Sequence, residues 1–283
     1  MEVKKLKFVS IWFILLCWIS LAFAKVKITC PTQVSQGDVF EVVFDYSDTV
    51  DALWIEYDKK VLTLPLNKKG QTKVLLGMNI GEQKIKVLKI FYLEKDIIKK
   101  ERYEISPIIK RFAVQYLTLP KKMVYFDSYT LKRIQKEKKE LNFILTRITP
   151  YQLLNKIIRP VQGKVISPFG VKRVLNGNIR SYHRGVDFRA KLNTPIRSFS
   201  KGKVVLIKEM FFGGNTVVVD HGLGVYSLYM HLNRFKVKKG QIVQAGQIIG
   251  LAGKTGRATG PHLHFGLFVL GRAVNPIPLF KSN

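Results

Sequence analysis

The histidines of this chain are grouped in a way that limits its possible folds. Four of the five lie in three short segments of the C-terminal half. The segments are 183–187, 229–232 and 260–265, and they contain His183 with Asp187, then His231, then His262 with His264. A random distribution would have scattered these residues. The grouping indicates a fold that brings distant stretches of chain together into a metal site with bases beside it.

The spacing of the first segment suits a metal ligand pair. Catalytic zinc sites take three protein ligands at about 2.0 to 2.2 Å and leave a fourth position for water. His183, Asp187 and one later histidine would supply such a set. Gly185 lies midway between the first two, and its tolerance of positive φ would let the segment bend both side chains toward one point. The spacing permits this arrangement without requiring it.

The last segment predicts a strand, because His262, Leu263 and His264 lead into the apolar run 265–270. Residues two apart on a strand project from the same face, so His262 and His264 would share one. One of them could bind metal while its neighbour reaches the substrate. His231 would supply a second base.

Each histidine taken alone is more often a hydrogen-bonded core or surface residue than a functional one, but four in three ordered segments favour a site. His221 is different. Residues 220–224 resemble a turn after the apolar strand 216–219, and Gly and Asp are common in turns for conformational reasons. We therefore predict a structural role for His221.

The three segments together resemble the signature of lysostaphin-like (LytM-type) zinc metallopeptidases, which cleave peptide cross-links in bacterial peptidoglycan. The motifs are H-x-x-x-D from His183 to Asp187, Tyr-Met-His-Leu around His231, and H-x-H at His262 and His264. The likeness covers roughly the last 120 residues, about one ordinary domain.

The resemblance implies that His183, Asp187 and His264 are zinc ligands and that His231 and His262 are the catalytic histidines. Family members that lose one or more of these residues serve as non-enzymatic activators of other wall hydrolases. Because this chain keeps all five, the resemblance implies an active zinc metalloendopeptidase. Zinc lowers the pKa of water, and the two histidines would manage its proton. Which histidine plays which part is left open.

The N-terminus predicts export. Lysines precede an apolar stretch at 8–21, and an Ala-Phe-Ala cleavage site ends at Ala24, as in a secretory signal. The apolar run is shorter than the roughly 20 residues of a membrane span, which favours cleavage over an uncleaved anchor. The predicted location is periplasmic or otherwise associated with the cell envelope, and the envelope type is left open.

Charge and cysteine content bear on the partners. A formal net charge of +29 concentrates polyanions at the surface. No nucleic-acid motif accompanies the charge, so we predict no nucleic-acid partner. For an exported protein, the charge indicates anionic wall polymers or membrane headgroups as binding partners. The simpler alternative is a basic surface that only keeps the protein soluble.

Removal of the signal leaves Cys30 without a second cysteine, so no internal disulfide framework is expected. The oligomeric state is left open.

The predicted fold class is mainly β, and the predicted signal peptide, residues 1–24, precedes three parts. In residues 25–120, short alternating runs separated by turns predict an immunoglobulin-like β-sandwich. Its predicted strands are 25–29, 39–45, 52–57, 71–77, 83–92 and 109–118. Whether this part inhibits the catalytic half or targets it to a partner is left open.

A helical linker is predicted over residues 121–159. Asp127 or Ser128 would cap its main helix, Pro150 would end it, and a second short helix would follow over 151–158. The pattern of residues 160–283 predicts consecutive short strands with glycine turns. They predict an antiparallel β-sheet peptidase domain with zinc at the floor of a groove, which Phe211, Phe212 and Tyr229 could line.

Two other classes of function compete with this interpretation. A non-catalytic activator or wall-binding protein on the same scaffold would regulate instead of cutting, but the retained ligand set argues against it. Segments 194–198 and 239–243 also resemble lipoyl or biotinyl carriers, which have no use for His262 and His264. Among possible bonds, family analogy favours D-alanyl cross-links to a diamino acid over glycine bridges.

Overall fold

The computed structural model describes residues 26–67, 70–118, 125–177 and 179–280. The predicted signal peptide lies outside these ranges. The fold is mainly β, as predicted, and α1 (Ser128–Thr146) is the one α-helix among the described residues. Within the same ranges, no helix has the length and apolar character needed to cross a bilayer.

Two sheets make up the N-terminal part. Their strands are β1 (Val26–Thr29), β2 (Gln33–Ser35), β3 (Val39–Tyr46), β4 (Val50–Tyr57), β5 (Lys60–Thr63), β6 (Gln71–Gly77), β7 (Lys86–Glu94) and β8 (Ile97–Ile108). The strand order is β1-β3-β6 in one sheet and β2-β8-β7-β4-β5 in the other. Phe40 of the first sheet packs edge-on against Tyr57 of the second, with ring centroids 6.1 Å apart. Two facing sheets are the layout of a sandwich. The more specific immunoglobulin-like assignment stays a prediction.

Four strands differ from the sequence-based expectation: the short strands β2 and β5 were not predicted, and β8 and β9 differ more substantially. β8 was not predicted, because Ile97 and Ile98 are adjacent in the sequence and are followed by a charged run, so no alternation of apolar and polar residues is visible. It forms because it pairs along most of its length with β7. The run predicted at 109–118 contains β9 (Val114–Leu117), which pairs in parallel with β11 (Lys172–Leu175). This strand therefore joins the C-terminal part of the chain.

The linker helix α1 begins where predicted. The Asp127 side chain caps it by accepting a hydrogen bond from the Thr130 backbone N–H at 2.7 Å. Its C-terminal turn packs on the C-terminal sheet through Leu145. The partners of Leu145 in this cluster are Leu206, Met210, Val218, Tyr226, Leu228 and Phe268.

The predicted second helix over 151–158 is wrong. This segment is extended, and its backbone bonds the sheet instead of itself. The backbone N–H groups of Leu153 and Leu154 donate to the carbonyl of His221 at 2.8 and 3.0 Å, and that of Ile158 donates to Phe199 at 2.7 Å. Tertiary hydrogen bonds override the local helical preference here.

The C-terminal part is built on one large sheet. Its remaining strands are β10 (Val165–Ser167), β12 (Ile179–Tyr182), β13 (Val186–Arg189), β14 (Pro195–Arg197), β15 (Gly202–Met210), β16 (Gly214–Gly222), β17 (Val225–Phe235), β18 (Ile242–Val243), β19 (Ile248–Ala252), β20 (His262–Val269) and β21 (Arg272–Val274), and a 3-10 helix, Ile277–Phe280, follows. The main path runs β10-β13-β20-β17-β16-β15-β18, with every pairing antiparallel. A small sheet, β12-β11-β9, stands beside it.

The register of three neighbouring strands assembles the histidine segments. β20 lies between β13 and β17, and His264 is opposite Asp187 on one side and Met230 on the other. His262, two residues earlier on β20, projects from the same face. The fold thus brings together all three sequence segments, as predicted.

The N-terminal sheets pack directly on the C-terminal sheet. The backbone N–H of Asn275 donates to the Gly37 carbonyl at 2.7 Å, and the Asn275 side chain donates to Asp38 at 2.8 Å. Gln152 donates to the Lys73 carbonyl at 2.6 Å. The apolar core is continuous across this contact. The division into three domains stays a prediction.

Candidate metal centre

His183, Asp187 and His264 converge on one point. His183 Nε2 lies 3.0 Å from Asp187 Oδ1 and 3.1 Å from His264 Nδ1, and the last two atoms are 2.8 Å apart. Each residue offers a potential ligand atom, and all of these atoms lie within 4.8 Å of one another. His183 and Asp187 are buried, and His264 is mostly so. Three groups that can ligate a metal therefore meet in a sheltered place.

His183 is held by the backbone around it. It follows β12, and its N–H donates to Val171 while its carbonyl accepts from Gly170, both at 2.8 Å. Its ring Nδ1–H donates to the Pro168 carbonyl at 2.9 Å. A proton fixed on Nδ1 leaves the Nε2 lone pair facing Asp187 and His264. An outer hydrogen bond of this kind typically sets the tautomer and the orientation of a metal-binding histidine.

Asp187 is ionised. Burial by itself raises its pKa, but the contacts of its Oδ1 with the His183 and His264 rings outweigh that effect and hold the pKa of this carboxyl well below its usual range. Its second oxygen, Oδ2, accepts from the Arg173 guanidinium at 3.0 Å. The carboxylate is thus oriented from both sides, with Oδ1 left toward the histidines.

Gly185 serves the site differently from the prediction. Its φ is not positive, so left-handed backbone freedom is not what the position requires. A Cβ on Gly185 would lie 2.7 Å from the His264 ring and 2.6 Å from the Phe265 carbonyl oxygen. The position is therefore restricted by close approach, since any side chain would push His264 out of place.

The donor set fits a small divalent cation. In a tetrahedral zinc site with bonds of about 2.0 to 2.1 Å, neighbouring ligand atoms are roughly 3.3 Å apart. The three separations here, 2.8 to 3.1 Å, need only a slight outward movement. Burial lowers the pKa of His264 against the opposing effect of Asp187, which favours the neutral imidazole that binds metal.

His231 lies beside this cluster in a strained conformation. Its φ is +63°, in the left-handed region that non-glycine residues rarely adopt. Its backbone N–H donates to Gly213 at 2.7 Å, and its ring Nδ1–H donates to Thr255 at 2.8 Å. Burial, more than any other factor, lowers its pKa to about 4. The ring is therefore neutral at pH 7, with Nε2 as its acceptor nitrogen.

His262 completes the group. Its ring centroid is 4.7 Å from that of His231, and its Nδ1–H donates to the Gly260 carbonyl at 2.8 Å. The His231 ring centroid is also 6.2 Å from that of His264. Both rings bind a backbone carbonyl through Nδ1, so Nε2 is the nitrogen that each can use for proton transfer.

His221 belongs to a separate buried network. It lies at the end of β16, not in the predicted turn, which the structure places after it at Leu223 and Gly224. Its Nδ1 bonds the Lys201 carbonyl and its Nε2 bonds Ser227 Oγ, both at 2.7 Å. Both nitrogens are thus used in holding strands together.

Several residues that orient the site carried no sequence signal. Arg173 lies outside the three histidine segments, and Thr255 and Gly260 act through backbone carbonyls, which any residue type could supply.

Tyr229, which was predicted to line the groove, does not do so. It is fully buried, and its ring centroid lies 5.3 Å from that of Phe265. A cavity of about 810 Å³ lies elsewhere, between α1 and the sheet, and none of the five predicted site residues lines it.

Comparison with known proteins identifies the C-terminal part. Residues 181–276, the stretch that holds all five predicted site residues, match the model of Peptidase family M23. The chain carries a Peptidase M23 domain. This domain is 48% identical over 104 residues to the peptidoglycan DD-endopeptidase ShyA of Vibrio cholerae, and 42% identical over 114 residues to lysostaphin of Staphylococcus staphylolyticus. The predicted resemblance to lysostaphin-like peptidases is confirmed.

The likeness to these relatives is confined to the M23 domain. The matches take in 35% and 38% of this chain but only 24% and 23% of ShyA and lysostaphin, so the chain spans about a quarter of each relative. A crystal structure of an M23-family peptidase from Pseudomonas aeruginosa is similar over more of the chain. It has a TM-score of 0.66 and 28% identity, and the likeness covers 88% of this chain and 95% of that one. The shared fold therefore includes residues beyond the M23 domain.

Proposed function

We propose that this chain is an exported zinc metalloendopeptidase that hydrolyses peptide cross-links of bacterial peptidoglycan. The observation that carries the proposal is the convergence of three potential ligand atoms, with two further histidine rings beside them. Membership of a peptidase family supports the reaction class. The similarity to ShyA, which is named a peptidoglycan DD-endopeptidase, supports the substrate class.

His183 Nε2, Asp187 Oδ1 and His264 Nδ1 would hold the zinc. When bound, zinc supplies Lewis acidity, which polarises an amide carbonyl and lowers the pKa of water toward about 7. The chain's own residues fix this ligand set through the Pro168 carbonyl and the Arg173 guanidinium. Their part is to orient the ligands.

His231 and His262 would manage the protons. One Nε2 takes a proton from the attacking water as the new C–O bond forms, and a protonated Nε2 returns a proton to the leaving nitrogen as the C–N bond breaks. General acid and base help of this kind is typically worth about 10² to 10⁴-fold. The hydrogen bonds from Nδ1 to Thr255 and Gly260 keep both rings aimed during the cycle.

The bond that we favour is a D-alanyl cross-link to a diamino acid. The location that we propose is the periplasm or cell envelope, with peptidoglycan as the partner and anionic wall polymers or membrane headgroups as further contacts for a chain of net charge +29. The competing function, a non-catalytic activator on the same scaffold, would need neither zinc nor His231.

Digestion of defined wall material tests the proposal. Purified protein is incubated with cross-linked muropeptides, and mass spectrometry identifies the new amine. We expect cross-linked dimers to fall to monomers with a free diamino-acid amine, and the His231→Ala variant at equal zinc content to release almost none. Intact dimers after incubation with zinc-loaded wild-type protein would favour the activator instead.

A further inference from the structure

The outer face of α1 carries a regular row of cationic and aromatic side chains. Residues three or four apart on a helix lie on the same face. Five exposed residues follow this spacing and form what we call the α1 stripe: Tyr129, Lys132, Lys136, Lys139 and Phe143. Tyr129 is 80% exposed and Phe143 is 65% exposed, so an aromatic ring stands at each end of a row of lysines. The two ends are separated by about 21 Å along the helix axis.

The acidic residues of α1 do not neutralise the α1 stripe, because both are engaged by the sheet side of the helix. Glu137 is buried and accepts hydrogen bonds from Arg133 Nε and from the Phe211 backbone N–H, both at 2.8 Å. Glu140 accepts from Lys208 of β15 at 2.6 Å. Within the described part of the chain, no ion pair joins a lysine of the stripe to an acidic group. The stripe therefore keeps its positive charge for an external partner.

A groove between α1 and the sheet continues the α1 stripe at the C-terminal end of the helix. Its volume is about 810 Å³, and Phe143 of the stripe is one of its lining residues. Ile144 and Val205 add further apolar side chains to the lining. Three exposed cationic residues also line this groove, which we call the α1 groove: Arg147, Lys203 and Lys239. Apolar surface and positive charge thus lie side by side.

The two acidic residues in the α1 groove are occupied by contacts within the fold. Glu140 holds Lys208, and Asp220 accepts from the hydroxyls of Thr149 and Tyr151 at 3.2 and 2.7 Å. The Gly222 backbone N–H also donates to Asp220, at 2.8 Å. The groove therefore leaves its cations, more than its carboxylates, for a bound molecule.

This combination matches an amphiphilic anion. Lysine and arginine near a bilayer are attracted to anionic phospholipid headgroups. Aromatic side chains favour the headgroup level of a membrane, and helices that lie on a bilayer combine lysine or arginine with aromatic residues. A soluble polyanion would engage the lysines but would leave Tyr129, Phe143 and the apolar lining of the groove in water. The exposed rings therefore favour a lipid surface over a wall polymer.

We infer that the α1 stripe and the α1 groove form a docking surface for a bilayer that contains anionic phospholipid. Lipid phosphates would contact the lysines and the cations of the groove, and the glycerol and acyl region of one lipid would enter the groove beside Phe143. The inference narrows the envelope contacts of the proposed function to one partner and one surface, and it rests on that function for the location of the protein. None of the five predicted site residues lines the groove, so docking leaves the metal centre unoccupied by lipid.

Vesicle flotation tests the inference. The full chain is mixed with vesicles of phosphatidylcholine alone or of equal parts phosphatidylcholine and phosphatidylglycerol. We expect binding to the anionic vesicles, little binding to the neutral ones, and weaker binding as salt concentration rises. Combined replacement of the three stripe lysines by glutamine should weaken binding to the anionic vesicles by about tenfold or more. Equal binding of the wild type to both kinds of vesicle would overturn the inference.

The matched control removes three exposed lysines from loops of the N-terminal sheets. Its substitutions are Lys59→Gln, Lys84→Gln and Lys95→Gln, which change the net charge by the same amount as the stripe variant. All variants share the same N-terminus, so any contribution from residues 1–24 is common to them. The control should bind anionic vesicles as the wild type does. An equal loss in the two variants would reduce the binding to a general effect of net charge and would overturn the inference.

A fluorescent reporter tests the groove itself. In Phe143→Trp, we expect anionic vesicles to shift the tryptophan emission to shorter wavelengths, and brominated acyl chains to quench it. Wild-type protein, which has the same other tryptophans, supplies the background signal. An unquenched Trp at position 143, together with displacement of the protein from vesicles by soluble poly(glycerol phosphate), would assign the α1 stripe to a wall polymer and overturn the inference.

These measurements require neither zinc nor turnover, so they separate this inference from the proposed function. Protein that docks on anionic vesicles but leaves muropeptide dimers intact would end the proposed function and leave the docking surface standing. Protein that cleaves the dimers but does not distinguish the two kinds of vesicle would end the docking surface alone.

Discussion

Buried polar groups are distributed differently in the two halves of the molecule. Among the described residues, the N-terminal sheets bury Gln36, Thr72 and Glu94. The C-terminal part from β10 onward buries His183, Asp187, Ser198, Ser200, Thr216, Asp220, His221, Ser227 and His231. Burial of a polar group is unfavourable unless hydrogen bonds compensate it. The N-terminal core is therefore almost entirely apolar, whereas the C-terminal core also contains buried ionisable groups that hydrogen bonds must compensate.

The same comparison separates two polar centres within the C-terminal half. Around Asp220 and His221, the hydrogen bonds connect neighbouring segments of the fold. Asp220 accepts from the Tyr151 hydroxyl at 2.7 Å, and His221 bonds the Lys201 carbonyl and the Ser227 hydroxyl. Around His183, two ring nitrogens and a carboxylate oxygen instead point at one another. Polar burial alone does not mark function, but convergence of ligand atoms does.

The largest expected effect is loss of the metal. His183→Ala removes one of three proposed ligands, so zinc content should fall from one ion per chain to almost none. Loss of an outer hydrogen-bond partner typically lowers metal affinity about 10 to 100-fold, and loss of a ligand should exceed that. Atomic emission after gel filtration measures the content. The matched control is His221→Gln, which should keep its zinc. Equal zinc loss in both variants would contradict the claim that the His183 cluster binds the metal and the His221 network does not.

Next in size is the loss of a proton-transfer group. His231→Ala should retain zinc and lower kcat by about 10² to 10⁴-fold, because the ring is not among the three converging ligands. Turnover of a muropeptide dimer, measured at equal zinc content, checks this. Full activity in this variant would remove His231 from the mechanism.

A substitution in the apolar core of the other half should act on stability alone. Phe44, on β3, is fully buried, and Phe44→Ala should lower the free energy of unfolding by about 3 to 5 kcal/mol. Urea denaturation measures that change, with Phe44→Leu as a milder control. Zinc content per folded chain should stay at one. A folded Phe44→Ala protein without zinc would show that metal binding in the C-terminal half depends on packing in the N-terminal core.

The smallest expected effect is a pH dependence that originates at His221. Burial lowers its pKa to about 4, against about 6.5 in the unfolded chain. Between these values the unfolded chain binds a proton that the folded chain excludes, so the free energy of unfolding decreases as pH falls from 6.5 to 4. The contribution is on the order of 3 kcal/mol. Urea denaturation at pH 7 and pH 4 should show this dependence in wild type and less of it in His221→Gln; identical slopes would contradict it.

Much of the architecture could be predicted from local sequence. Asp127 as a helix cap, the shared face of His262 and His264, and the mainly β fold follow from short-range rules, and the structure contains them. Those rules failed where distant chain supplied the hydrogen bonds. Residues 151–158 bond β16 and Phe199 instead of forming a helix, and β8 depends on its pairing with β7.

The candidate site shows the same limit. The five side chains stood out because His and Asp are chemically distinctive and closely spaced. Their supports did not, because the carbonyls of Pro168, Thr255 and Gly260 could belong to any residue. Gly185 was predicted to be needed for a positive φ, and that reason is wrong. The position requires glycine because the His264 ring lies close to it, and this contact is visible only in the three-dimensional structure.

The most direct test of the central claim is an anomalous diffraction map of zinc-loaded crystals, collected on both sides of the zinc absorption edge. The account predicts one strong peak per chain, bonded to His183 Nε2, Asp187 Oδ1 and His264 Nδ1, with His231 and His262 beside it but unbonded. A map with no peak at this position, or with its peak on another set of residues, would contradict it.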